Sequence, residues 1–291
     1  MWALAAAASF STMAAFVKFC NNLYGPLELV FYRSVFTVAT ILVIVWANGY
    51  SLKTKEIGGH LRRDILGATS VTIWFFTLGE LPLGTNITLT YTTSLFLAVN
   101  FIILALLRHT AIPWGAICAI LLGFTGIVTV VQPSFAAGQE IPALLCLSVA
   151  LLDLFTYWQV RKLGQAEEPS WRIVFYFALF CTFASFIGVN IFEGGFHAPT
   201  LLSGLCVLGM GAFATLGMLT STRAWVGGNM LLVSCLGFSA IPFSELIGIF
   251  FFDHEPSLVT LTGMLFIIVA GMTATAFTKR EEALMNANEK K

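Results

Sequence analysis

The chain has 291 residues, of which 58% are hydrophobic and only 10% are charged. A water-facing globular domain carries about 25% charged residues, so the polar surface a soluble fold needs is missing. Fifteen basic residues balance fifteen acidic ones, and that neutrality excludes nucleic acid as an expected partner.

In chain order, the first run, MWALAAAASFSTMAAF, has no basic n-region and stays apolar too long for a signal peptide, so it is expected as a mature first span near the true start. Breaks such as NNLYGP, GELPLGTN, LLRHTAIP, VQPSFAAGQEIP, FEGGFHAPT and DHEPS divide the rest into further apolar runs. A membrane helix needs about 20 apolar residues. The spans predicted on that scale are 2–20, 28–48, 64–81, 85–107, 111–131, 141–160, 171–192, 199–222, 228–252 and 258–278. The runs are continuous rather than alternating, which excludes a β-barrel. The predicted fold class is therefore an all-α polytopic membrane protein with ten transmembrane helices.

Loop charge sets the orientation. With the amino terminus in the cytoplasm, thirteen basic residues fall on the inner side, including Arg62, Arg63, Arg108, Arg161, Arg172, Arg223 and Lys279, while Lys18 alone falls outside. The outer turns carry Glu28, Glu80, Glu140, Glu193, Asp253 and Glu255. Both termini are expected in the cytoplasm.

The halves repeat weakly. GELPLGTNITL and TRAWVGGNMLL align at an offset of 143 residues, pairing Gly84 with Gly227 and Asn86 with Asn229, and Pro113 then meets Pro256. Further on, Gly115 and Gly123 match the spacing of Gly263 and Gly271. Residues 1–135 and 136–280 are thus expected as five-helix repeats, followed by a cytoplasmic polar tail over 281–291. An odd number of spans per copy inverts the second against the first, and inverted repeats around a midplane site are a mark of secondary transporters.

FYRS in the second span and IPFSELIGIFFFDHEPSLVTLTGMLFIIVAG in the last two resemble the drug/metabolite transporter superfamily, in particular its ten-span EamA-like members. The features carrying the resemblance are Arg33 in an aromatic-rich span, Pro242, Asp253 or Glu255, and the spaced glycines Gly263 and Gly271. The resemblance implies a central cavity lined mainly by spans 1, 3, 4, 6, 8 and 9, and export or exchange of amino acids and similar small metabolites across a bacterial inner membrane. One departure concerns LLRHTAIP, where many relatives have a glutamate.

Charged groups inside a bilayer are expensive and mark function by default. Asp153, in VALLDLFTYWQV, has Tyr157 four residues on, so the two share a helix face. Such a pair suits a substrate ammonium or a proton; the alternative is a protonated acid bonded to a neighbouring helix. Glu245 follows Pro242 by three, and the proline is expected to leave the carbonyl of Phe238 unpaired, with Ser239 and Ser244 available to the break. That makes Pro242 a hinge candidate and Glu245 either a site residue or a buried acid paired with Arg33 or another helix. Arg33 lies about 7 Å inside the outer end of its span at about 1.5 Å per residue. It is read as a snorkelling or structural cation, an outer gate with Glu80, or a contact for a substrate carboxylate. On span membership, Trp74, Tyr91, Ser94 and Tyr157 complete the expected cavity wall.

The four histidines, His60, His109, His197 and His254, are expected at loops or interfaces, and no His or Cys spacing suits a metal. No cofactor and no enzyme activity are expected. The expected partners are a small solute, the lipid bilayer, and a coupled proton or counter-solute in alternating access. The rival reading within the class is an uptake permease for a larger metabolite such as a nucleoside-type cofactor, S-adenosylmethionine-like. Outside it stand an intramembrane enzyme or a channel.

Overall fold

A computed structural model describes residues 1–20, 24–81, 83–134, 138–197, 201–252 and 257–289. All regular structure among them is helical: α1 (Trp2–Cys20), α2 (Pro26–Asn48), α3 (Ile57–Glu80), α4 (Leu83–Tyr91), α5 (Thr93–Arg108), α6 (Trp114–Val131), α7 (Glu140–Gln165), α8 (Ser170–Phe192), α9 (Leu201–Gly227), α10 (Met230–Gly237), α11 (Ala240–Phe252) and α12 (Leu258–Glu289). Among the described residues, eight helical stretches are long and apolar enough to cross a membrane, with a shorter apolar helix, Trp2–Val17, ahead of them. Val43, Ile103, Phe183, Ile187, Phe250 and Leu265 stand exposed on the outward faces. Without water in the bilayer core, a helix is the form that satisfies its own backbone. The chain is a multi-pass membrane protein.

The helices pack as two compact units, Met1–Thr72 with Phe155–Gly227, and Ile73–Leu154 with Gly228–Lys291. In the first unit α1 lies along α9, and α2 along α8 and α9. Tyr24, Leu29 and Met210 form one buried cluster, and Ile41, Val45, Val174 and Phe175 another. In the second unit α6 lies along α12. Here the backbones touch: a Cβ on Gly126 would stand 2.7 Å from the carbonyl oxygen of Gly263, and one on Gly263 would stand 2.7 Å from that of Gly126. Small residues allow this approach, which replaces the hydrophobic drive missing between helices in lipid.

The predicted boundaries need correction at several places. The loop after the second span ends at Glu56, so His60, Arg62 and Arg63 belong to α3 rather than to a loop, ahead of the predicted span start at 64. His60 is buried there, 2% exposed. Arg161, Lys162 and Arg223 likewise lie within α7 and α9, and α12 continues to Glu289. The run 85–107 is broken between α4 and α5, and the run 228–252 between α10 and α11.

Both breaks have local causes. At Thr92, hydroxyls compete for helix carbonyls: Thr92 Oγ1 donates to the carbonyl of Leu89 at 2.5 Å and Thr93 Oγ1 to that of Thr90 at 2.7 Å. Such back-bonding bends helices. The second break falls at Phe238 and Ser239, upstream of Pro242, which occupies the first turn of α11. The carbonyl of Phe238 is not left unpaired as expected. It accepts the N–H of Ile241 at 3.1 Å, a tighter three-residue closure, while Ser239 Oγ donates to Leu236 O at 2.6 Å. A proline in a first turn has no partner to lose. The side chain of Lys18 and residues Asp253, His254, Glu255, Pro256, Lys290 and Lys291 lie outside the described residues.

Candidate functional site

A cavity of about 200 Å³ opens inside the first unit. Phe10 of α1, Arg33 of α2, Arg63 of α3, Tyr157 of α7, Phe177 of α8, and Met218, Ser221 and Thr222 of α9 line it. The three α9 residues follow at spacings of three and four, one face of a helix. Two arginines thus meet a single space among apolar helices.

Each enters from a differently anchored helix start. Arg33 lies seven residues past Pro26, about 10 Å along α2 at about 1.5 Å per residue. The first turn of α2 is capped from α8: Glu193 accepts the backbone N–H of Leu27 at 2.8 Å and of Glu28 at 3.0 Å. An anion at a helix amino terminus meets both the orphan donors and the dipole. Gly25 is required beside it, since a Cβ there would stand 2.3 Å from the Glu193 carboxylate. Glu28 is wholly buried and accepts the ring Nδ1 of His197 at 2.8 Å, the His197 backbone N–H at 2.8 Å and the Tyr32 hydroxyl at 3.1 Å. One turn past Arg33, the hydroxyls of Thr37 and Thr215 bond at 2.9 Å and tie α2 to α9.

Arg63 is held in the first turns of α3. Its guanidinium lies 3.6 Å from the centre of the Phe177 ring and 3.5 Å from the neighbouring Asp64 carboxylate. Gly67, one turn on, gives the ring its place, because a Cβ there would come within 3.0 Å of it. The start of α3 is fastened by a polar knot at the start of α8. Glu168 accepts Arg172 at 2.8 Å and the Thr54 hydroxyl, and stands 3.5 Å from His60 Nε2. Arg172 also reaches the carbonyl of Ser51 at 2.8 Å, and Tyr176 that of Leu52 at 3.0 Å. Burial pushes the His60 imidazole below its ordinary pKa, against the pull of Glu168. For Glu168, burial acts upward, but hydrogen bonds from Thr54 and Arg172 and the Arg172 charge outweigh it and hold the carboxyl low.

Tyr157 is the second predicted site residue on this cavity. Its ring stacks on Trp225 of α9, with centroids 4.0 Å apart and planes within 11°.

The other predicted residues, Trp74, Glu80, Tyr91, Ser94, Asp153, Pro242 and Glu245, belong to the second unit. Several of them gather at its two helix breaks. Ser234 donates to Ser94 at 2.6 Å, and the Tyr91 ring meets Phe238 edge-on at 5.7 Å. Asn86 donates to Thr77 Oγ1 at 2.9 Å, while Asn229, which aligns with it in sequence, caps α10 by accepting the N–H groups of Leu231 and Leu232. Asp153 is half-buried on α7 and Glu245 half-buried on α11. Glu80 is exposed, and its carbonyl accepts Gln139 Nε2 at 3.1 Å.

Sequence reasoning missed Arg63, Phe177, Ser221, Thr222 and Trp225. For Arg63 a signal exists in HLRRD followed by Gly67: an arginine with an acid beside it and a glycine one turn on can be desolvated as a pair.

No protein-family model matches the chain. Its sequence aligns with that of the pseudopaline exporter of Pseudomonas aeruginosa, 25% identical over 92% of this chain and 92% of that one. It is 20% identical to the riboflavin transporter of Vibrio cholerae over 88% of this chain and 85% of that one. With the S-adenosylmethionine uptake transporter of Rickettsia bellii it shares 22% identity over 92% and 90%. A solved crystal structure of another protein, 18% identical, has the same fold, with a TM-score of 0.82 over 97% of each chain. The named relatives are all membrane carriers of small metabolites, and they match almost end to end.

Proposed function

We propose that the chain is a secondary transporter of small metabolites, an exporter or exchanger working by alternating access. The observation carrying this reading is the near end-to-end alignment with the pseudopaline exporter. The first unit's cavity, lined by both charged and aromatic side chains, supports it. The finer reading is a ten-span EamA-like member of the drug/metabolite transporter superfamily, with residues 1–135 and 136–280 as inverted five-helix repeats and 281–291 as a cytoplasmic tail. In support, the helical runs beginning near the aligned Asn86 and Asn229 are both broken within nine residues. The inside-weighted basic residues support a bacterial inner-membrane location with both termini in the cytoplasm. In this reading Arg33 and Tyr157 contact the solute, Trp74, Tyr91, Ser94, Asp153 and Glu245 serve the translocation path of the second unit, Pro242 marks a hinge, and Glu80 a gate.

A second reading, uptake of a larger nucleoside-type metabolite, is favoured by the relatives named for riboflavin and S-adenosylmethionine. Untargeted metabolite profiling of cells and medium, with and without the protein, separates the two. Export predicts a solute that accumulates in cells lacking the protein; uptake predicts one left behind in their medium. An unchanged profile, together with no solute counterflow in proteoliposomes, would end the transport reading.

A further inference from the structure

We propose that the cavity of the first unit is a carboxylate site, in which Arg33 and Arg63 receive the anionic end of the transported solute. The proposal rests on the transport reading and adds the substrate class. Its basis is a charge imbalance. Arg63 is almost fully buried and has the buried Asp64 carboxylate 3.5 Å away to offset its charge. Arg33 forms no ion pair with a carboxylate among the described residues, and its Nε is buried with no hydrogen-bond acceptor. A desolvated guanidinium donor without an acceptor is strongly unfavourable. The cavity therefore carries one positive charge in excess at the spot where an outside molecule fits.

The geometry selects the anion. A guanidinium presents its donors as a planar fork that matches a carboxylate in two parallel bonds. Ser221 and Thr222 add hydroxyl-bearing side chains to the lining, and Phe10, Tyr157 and Met218 add apolar surface. A volume of about 200 Å³ lies below the ~300–1,000 Å³ of drug-sized pockets. It therefore takes a small acid, or the carboxylate end of a longer one. Nearby Asp64 disfavours dianions packed entirely into the space, so one carboxylate with a neutral body is the fit.

The test compares matched acids and amides on the full-length protein. The probes are phenylacetate with phenylacetamide, lactate with lactamide, and N-acetylmethionine with its amide. Thermal unfolding of the detergent-solubilised protein reports binding, and counterflow in proteoliposomes reports transport, with choline and glucose as cationic and neutral solutes. The expected result is stabilisation and exchange by at least one acid and not by its amide. Arg33→Gln is expected to weaken that binding about ten- to a hundredfold, the loss of one charge-assisted bidentate contact, while Arg33→Lys falls in between. Should Arg33→Gln fail to fold, the acid-against-amide comparison on the unaltered protein decides alone. Equal responses to acid and amide, equal stabilisation by inorganic phosphate without exchange, or exchange of choline or glucose only, would overturn the carboxylate assignment. Exchange of choline or glucose would still leave the transporter standing; silence from every solute would remove both.

Discussion

An alanine at Gly126 places its methyl 2.7 Å from the Gly263 carbonyl oxygen, 2.9 Å from Ile267 Cγ1 and 3.1 Å from the Ile267 nitrogen. Two of those three neighbours are backbone, so no rotamer change relieves the clash, and α6 and α12 must separate. Overpacking of this kind destabilises by about 1–3 kcal/mol. Opposing it is the gain of about 0.8–1.0 kcal/mol when alanine replaces a helical glycine. Gly204 in α9 isolates that second effect, because a Cβ there meets nothing within 4 Å. Subtracting one variant from the other cancels the propensity gain and leaves about 1–3 kcal/mol against Gly126→Ala. Gly263→Ala meets the mirror contacts, the Gly126 oxygen at 2.7 Å and Val130 Cγ2 at 2.7 Å. Once one methyl has parted the helices, the second finds room, so the double variant should lose less than the two single losses summed. Thermal or denaturant unfolding of the parent and the four variants in one detergent measures all these differences. Equal stability of Gly126→Ala and Gly204→Ala would refute the close backbone contact, and strict additivity would refute its reciprocity.

Other consequences are open to the same assays. Glu193→Ala uncaps α2 and should destabilise by about 0.5–2 kcal/mol, whereas Glu193→Asp, one methylene shorter, should fall between; unfolding midpoints decide. Thr37→Val alone leaves Thr215 without its partner across the helices and should lose about 1 kcal/mol, while the Thr37→Val, Thr215→Val double variant recovers part of it; a double variant worse than both singles combined would contradict the pairing. Acidification should weaken the knot at the start of α3. The folded protein holds His60 below its ordinary value of 6.5 and Glu168 below 4.5, so the unfolded chain binds more protons as pH falls through and below those values. The stabilisation is therefore complete above about pH 6.5 and drains away towards acid, and His60→Gln should flatten the upper part of the profile; an unchanged slope between pH 7 and pH 5 would count against it.

Hydropathy made the helical runs legible, because lipid demands long apolar stretches whatever the packing. It could not reveal the break at Thr92, since threonine is nearly neutral on any hydropathy scale and acts there through its hydroxyl on the carbonyl three residues back. Pro242 did announce an interruption, but the chain tightens upstream of it so that no carbonyl is abandoned. Arg33 stood out as an isolated charge in an apolar run. Arg63 did not, because a charged cluster at a span's edge reads as loop; its burial depends on an aromatic ring and an acid supplied by the fold. The candidate site was half visible for the same reason: single residues advertise themselves, whereas compensated pairs are silent in a sequence.

The cap that Glu193 forms on α2 joins two helices end to head. Glu193 closes the last turn of α8 through its own backbone, its N–H bonding Val189, while its carboxylate seizes the first turn of α2. Tension or tilt in α8 is thereby delivered to α2 without an intervening slack segment, and Arg33, two turns further along, travels with it. The depth of that guanidinium is thus tied to the end of α8 through one carboxylate.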